Sequence, residues 1–113
     1  MFKHNTKILA IDPGTREMGV ALFDGEKLVY HGVSVIKEET PHEKLNAGRK
    51  IILRLIKDFR PDVLVVEKAF FGNNRTAALL NVFVDEIKAI GKRKKLKVLS
   101  YAPTTVRKFV CRP

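Results

Sequence analysis

The sequence predicts an α/β domain built on a mixed five-stranded sheet, with a three-strand antiparallel meander, two parallel strands and helices on the sheet's faces. Three observations predict it. Strand-like apolar runs fill the first third of the chain, two of them joined by Asp24-Gly25, a strong hairpin signal. Helical and strand periods then alternate to the end, the pattern of a sheet with helical crossovers. Two runs that read as buried strands, 8–11 and 63–66, each end in a carboxylate, Asp12 and Glu67.

Residues 7–12 form the first predicted strand, and Pro13-Gly14-Thr15 turns the chain sharply after Asp12. Residues 18–23 and 27–36 complete the meander. Thr40-Pro41-His42-Glu43 is a helix start, with Thr as N-cap, Pro at the first helical position and Glu closing a capping box. Leu45, Ile52, Leu55, Ile56 and Phe59 follow at helical spacing until Arg60-Pro61. Residues 62–67 are apolar on both faces, as a central parallel strand requires. Asn73 or Asn74 caps a second helix carrying Leu79, Leu80, Phe83, Ile87 and Ile90, with Gly91 as its stop. Residues 96–101 form the fifth strand, and Pro103 opens a last helical turn with Val106, Phe109 and Val110.

Composition narrows the class. A chain of 113 residues with 45% apolar content makes one domain with one core. No run approaches the ~18 apolar residues of a membrane span, and the N-terminus lacks a signal-peptide apolar segment. The single cysteine, Cys111, excludes an internal disulfide and suits a reducing, cytoplasmic setting. The net charge of +10 is uneven. Residues 1–86 hold 13 Lys/Arg against 12 Asp/Glu, a balance of +1, whereas residues 87–113 hold 9 Lys/Arg and no acid. The densest block is Lys92-Arg93-Lys94-Lys95. A basic block beside a phosphate-directed site suggests nucleic acid, because neutralised phosphates release counterions.

In such sheets the chemistry gathers at the carboxyl ends of the parallel strands, where Asp12 and Glu67 both fall if their strands are neighbours. Two carboxylates delivered there suit a divalent cation and a phosphodiester. The plainer reading of Asp12 is a turn former bonding its own downstream backbone. Thr15 and Arg16 read as a plain turn that could meet a phosphate. Phe70 and Phe71 read as a seal of the N-terminal end of the second helix against the core. His4, His31 and His42 have no metal-ligand spacing. Asp62 begins the strand that Glu67 ends, about 16 Å away along an extended chain, and Asp85 and Glu86 sit well into the second helix.

At these residues the chain resembles a known family. ILAIDPGTREMGVAL (8–22), VVEKAFFGNNRTAALL (65–80) and YAPTTVRKFV (101–110) are similar, in order, to three segments of RuvC-type Holliday junction resolvases. The resemblance implies an RNase H-like fold, a homodimer and cleavage of four-way DNA junctions with Mg2+ or Mn2+. It also implies branch-migration proteins as partners. Asp12 matches the family's first metal-binding carboxylate and Glu67 its second. Phe70 matches an aromatic that engages bases near the junction centre. Lys92, Arg93, Lys94, Lys95, Arg107 and Lys108 fall where the family binds DNA backbone. Lys68 departs from the glutamine common after the glutamate. The family places two further metal-site residues on a final helix beyond these segments. The expectation is therefore a domain incomplete at its C-terminus, whose 113 residues alone cleave slowly or not at all. Two other readings stand beside it: a non-catalytic DNA-binding or assembly module with this fold, and an actin/Hsp70-like phosphate-binding ATPase fragment.

Overall fold

A computed structural model describes residues 6–68 and 75–101. The strands are β1 (Lys7–Asp12), β2 (Glu17–Asp24), β3 (Lys27–Val35), β4 (Val63–Glu67) and β5 (Lys97–Tyr101), and the helices are α1 (Pro41–Phe59) and α2 (Arg75–Arg93). One mixed sheet has the order β3-β2-β1-β4-β5. β1, β2 and β3 form the antiparallel meander, while β4 runs parallel to both β1 and β5. This is the predicted architecture, strand for strand. The proposed helix caps Asn73 and Asn74, and the turn at Pro103, lie outside the described residues.

Strand alternation divides the core into two faces. Leu9, Ile11, Val20, Leu22, Leu64 and Val66 point to the side covered by both helices and meet Ile52, Ile56, Phe83 and Ile87. Ala10, Ala21, Val63 and Val65 are buried on the opposite face, with Leu99 and Tyr101 packed against them. No helix among the described residues is long and apolar enough to cross a membrane.

The start of α1 forms as its sequence requires. The Glu43 N–H donates to Thr40 Oγ1 at 3.2 Å, and the Thr40 hydroxyl donates to Glu43 Oε1 at 2.6 Å. Gly91, by contrast, does not stop α2, which runs on to Arg93. A Cβ at Gly91 would lie 2.7 Å from Leu64 Cδ2 and 2.8 Å from Val98 Cγ2. Its role is to let the helix approach β4 and β5, so close packing rather than chain reversal explains the glycine.

The reversal falls at Lys95 instead. Lys95 has φ 62°, its N–H donates to the Lys92 carbonyl, and the Leu96 N–H donates to the Gly91 carbonyl. That is a Schellman motif with lysine where glycine is usual. α1 ends in a similar way at Arg60, with φ 49° and ψ 58° and its N–H on the Ile56 carbonyl. Arg60 and Lys95 are the two non-glycine positive-φ positions among the described residues. A side chain in this conformation costs about 1–2 kcal/mol. A cation at a helix C-terminus returns about 0.3–1 kcal/mol. The helix dipole alone therefore does not offset the strain of these two cations.

Candidate active site at the carboxyl ends of β1 and β4

The parallel register of β1 and β4 pairs Ile8 with Val63 and Ile11 with Val66. One step further, Asp12 and Glu67 end adjacent strands, which run about 4.8 Å apart. Asp12 follows Ala10 and Glu67 follows Val65 at the two-residue period, so both carboxylates occupy the face opposite α1 and α2. The structure thus brings together the two acids that the sequence singled out. Glu67 is only 3% exposed and is the buried charged residue among those described. Asp12 is half-buried. Holding a carboxylate away from water is costly unless charge or hydrogen bonds compensate. A second carboxylate on the next strand adds repulsion, so a divalent cation suits this pair. The carboxylate oxygen donors fit a hard divalent ion.

The turn after Asp12 is fixed at three points. A Cβ on Gly14 would collide with the Glu17 carbonyl oxygen, so the turn closes tightly only with glycine there. The Ile36 N–H donates to the Arg16 carbonyl at 2.7 Å. From α1, Lys44 Nζ donates to the Thr15 carbonyl at 2.8 Å in a half-buried bond. A cavity of about 790 Å3 opens beside this turn, lined by Thr15, Arg16, Lys37 and Lys44 among others.

Glu67 also has a neighbour on its other side. Tyr101 of β5 is its register partner on the same face, and the Lys68 N–H donates to the Tyr101 carbonyl at 2.8 Å. Neither Lys44 nor Tyr101 was assigned a role from sequence. The parallel register of β4 and β5 carries a signal for Tyr101, because it places the last residues of both strands side by side. Nothing in the sequence signals the Lys44 bond, which spans 29 positions.

No other acid among the described residues joins the pair. Among the described residues no group of three or more His, Cys, Asp or Glu side chains is placed to hold a metal. Asp62 lies at the opposite end of β4, where its Oδ2 accepts the Lys7 main-chain N–H at 2.9 Å. Glu86 bridges the helices, bonding Arg49 at 3.0 Å and Arg93 at 3.3 Å. The Arg49 hydrogen bond, with Arg93 assisting, holds its carboxyl below the ordinary 4.5 against an opposing effect of burial.

The basic block requires a correction. Lys92, Arg93, Lys94 and Lys95 are exposed, but they are not beside the carboxylates. They precede Lys97, which pairs with Val63 at the amino end of β4. The length of β4, about 13 Å at 3.3 Å per residue, separates that end from Glu67. Arg93 is partly engaged by Glu86. Phe70, Arg107 and Lys108 lie outside the described residues.

Residues 8–112 match the family model for crossover junction endodeoxyribonuclease RuvC. The chain is 31% identical over 109 residues to the crossover junction endodeoxyribonuclease RuvC of Halothermothrix orenii, covering 91% of this chain and 66% of that protein. It is 32% identical to the protein of the same name from Cytophaga hutchinsonii, covering 91% of this chain and 54% of that one. Among solved structures it resembles T. thermophilus RuvC in complex with a Holliday junction substrate, with a TM-score of 0.73 at 20% identity. That match covers 91% of this chain and 68% of the other and supports the RNase H-like fold. The chain thus spans just over half to two thirds of the length of these curated relatives. With its motifs in order, its sheet as expected and a family match over nearly its whole length, the chain belongs to the RuvC family of crossover junction endodeoxyribonucleases.

Proposed function

We propose that this protein is a metal-dependent endonuclease that resolves four-way DNA junctions in recombination and repair. One observation carries the reading: Asp12 and Glu67 end neighbouring parallel strands on one face, with Glu67 buried. The names of its relatives, and the junction bound by the T. thermophilus structure, supply the substrate. A divalent ion, Mg2+ or Mn2+, would polarise a phosphoryl oxygen and lower the pKa of a bound water.

The chain's own contribution is positional. Asp12 and Glu67 supply oxygen ligands from rigid strand ends. The turn held by Gly14, Lys44 and Ile36 keeps Asp12 from swinging away. Tyr101 walls Glu67 on its β5 side and, with the strands, limits water access. By family resemblance Phe70 stacks on bases near the junction centre, and Arg107 and Lys108 take backbone phosphates. A four-way junction presents two strands to cut, which a homodimer with one site per copy answers by symmetry. A DNA substrate and a single cysteine in the sequence support a cytoplasmic setting.

A second reading is a DNA-binding module that does not cleave. It is favoured by the convergence of only two metal-binding acids among the described residues. Cleavage of a labelled four-way junction by the full natural protein separates the two. The nuclease reading expects metal-dependent cleavage that falls at least about a hundredfold in Asp12→Asn. Junction binding without cleavage supports the module, and equal cleavage by Asp12→Asn sinks the site assignment.

A further inference from the structure

We propose that Tyr101 is a further catalytic residue of this site, whose phenol hydroxyl donates a hydrogen bond to a non-bridging oxygen of the phosphodiester brought to Asp12 and Glu67. The inference rests on the nuclease reading above and adds a substrate-contacting group to it. Its placement follows from the sheet. Asp12 pairs with Gly19 of β2 and Glu67 with Tyr101 of β5, so one row crosses the sheet in the order Gly19, Asp12, Glu67, Tyr101. Pairing continues to the ends of β4 and β5, and the Lys68 N–H bond to the Tyr101 carbonyl, at 2.8 Å, fixes the main chain there. The half-buried ring packs against the apolar cluster of Ala10, Ala21, Val63 and Val65. Ala10 and Val65 stand two residues before Asp12 and Glu67, which holds the ring on the face that carries both acids.

The chemistry of that row is unequal. Gly19 brings no side chain, and ionised Asp12 and Glu67 offer acceptors only, so the Tyr101 hydroxyl is the side-chain donor among the four. A phosphodiester is itself an anion, and its oxygens carry the charge of the transition state. Donors already in place stabilise that charge without reorganising at the moment of reaction. A lysine at this position would also donate, but its charge would pair with Glu67 and compete with a cation for the carboxylate. A phenol donates while leaving that charge to the cation. The plainer role of Tyr101, covering the apolar cluster, requires only the ring, which phenylalanine would supply equally well.

Tyr101→Phe in the full natural protein keeps the ring and removes the donor. Single-turnover cleavage of a four-way junction in Mg2+ should fall about tenfold, with the junction Kd and half-saturating Mg2+ unchanged. Wild-type cleavage by Tyr101→Phe, or a loss matched by a higher Mg2+ requirement, overturns the proposal, because the ring or Glu67 would then account for it. A second measurement needs no cleavage. With tyrosine 13C-labelled at Cζ, Tyr30 is the internal reference, since it lies against Phe59 of α1 with ring centroids 5.4 Å apart. Adding thymidine 5′-monophosphate to the Mg2+-loaded protein should move the Tyr101 signal and leave that of Tyr30 in place. A Tyr101 signal that ignores the nucleotide overturns the hydroxyl contact. If the wild-type protein cleaves no junction, the nuclease reading falls while the nucleotide titration still decides the contact.

Discussion

The two ends of the sheet differ in almost every physical respect. At the carboxyl end, a buried and a half-buried acid stand on adjacent strands, and the turn between Asp12 and β2 is held by bonds to Thr15 and Arg16 and by close packing at Gly14. At the amino end, exposed cations stand on helix termini and two of them occupy strained backbone. The first arrangement fixes atoms in place and excludes water. The second presents charge to solvent with little positional demand. The contrast separates two demands: chemistry needs preorganised ligands, whereas long-range attraction of an anion needs only accessible charge.

The comparison is broken or sharpened by graded changes. The largest effect is expected at Glu67. Replacing it with Gln keeps the shape but removes the charge, and metal-dependent junction cleavage should fall at least about a hundredfold with junction binding retained. Retained cleavage would make Glu67 a buried structural acid. Next comes Lys44, which reaches the turn after Asp12 without belonging to it. Lys44→Met keeps the aliphatic stem and loses the bond, so half-saturating Mn2+ should rise about tenfold, with partial recovery in Lys44→Arg. An unchanged metal requirement would show that the turn holds without it.

Changes that leave the two acids, their neighbours Lys44 and Tyr101, and the exposed cations in place should act on stability alone. Gly91→Ala forces a methyl group against Leu64 and Val98 and should cost about 1–3 kcal/mol in denaturant unfolding. The smallest effect belongs to Glu86. Its folded pKa is depressed by Arg49 and Arg93, so its contribution is present above about pH 4.5 and fades as pH falls through the lower folded value. Both arginines are substantially exposed, which holds the contribution below about 1 kcal/mol. Glu86→Gln should therefore lower stability slightly at pH 7 and flatten its loss in acid. A wild-type acid profile in that variant would assign the loss to other groups.

Much of this was legible in the sequence because it is locally encoded. The Asp24-Gly25 turn, the Thr40–Glu43 capping box and the apolar runs ending in Asp12 and Glu67 each sit within a few residues and fix their own geometry. Whether β1 and β4 are neighbours was left open by the sequence, and the sheet order makes them so. Three features were not legible. Gly91 looked like a helix stop, since a sequence does not show that Leu64 and Val98 press against it. The Lys44 bond depends on where α1 crosses the first turn. The basic block was read as lying beside the site, since charge along a chain does not show which end of the sheet it reaches. α2, 19 residues and about 28 Å long, carries it to the other end instead.

The central claim is that Asp12 and Glu67 form one divalent-cation site. Mn2+ titration of the isotopically labelled protein, followed by paramagnetic broadening of amide signals, tests it most directly. Signals of Ile11, Asp12, Gly14 and residues 66–68 should broaden first and together, and Asp12→Asn should abolish the effect at both strand ends. Broadening confined to one strand, or unchanged by that substitution, would contradict the shared site.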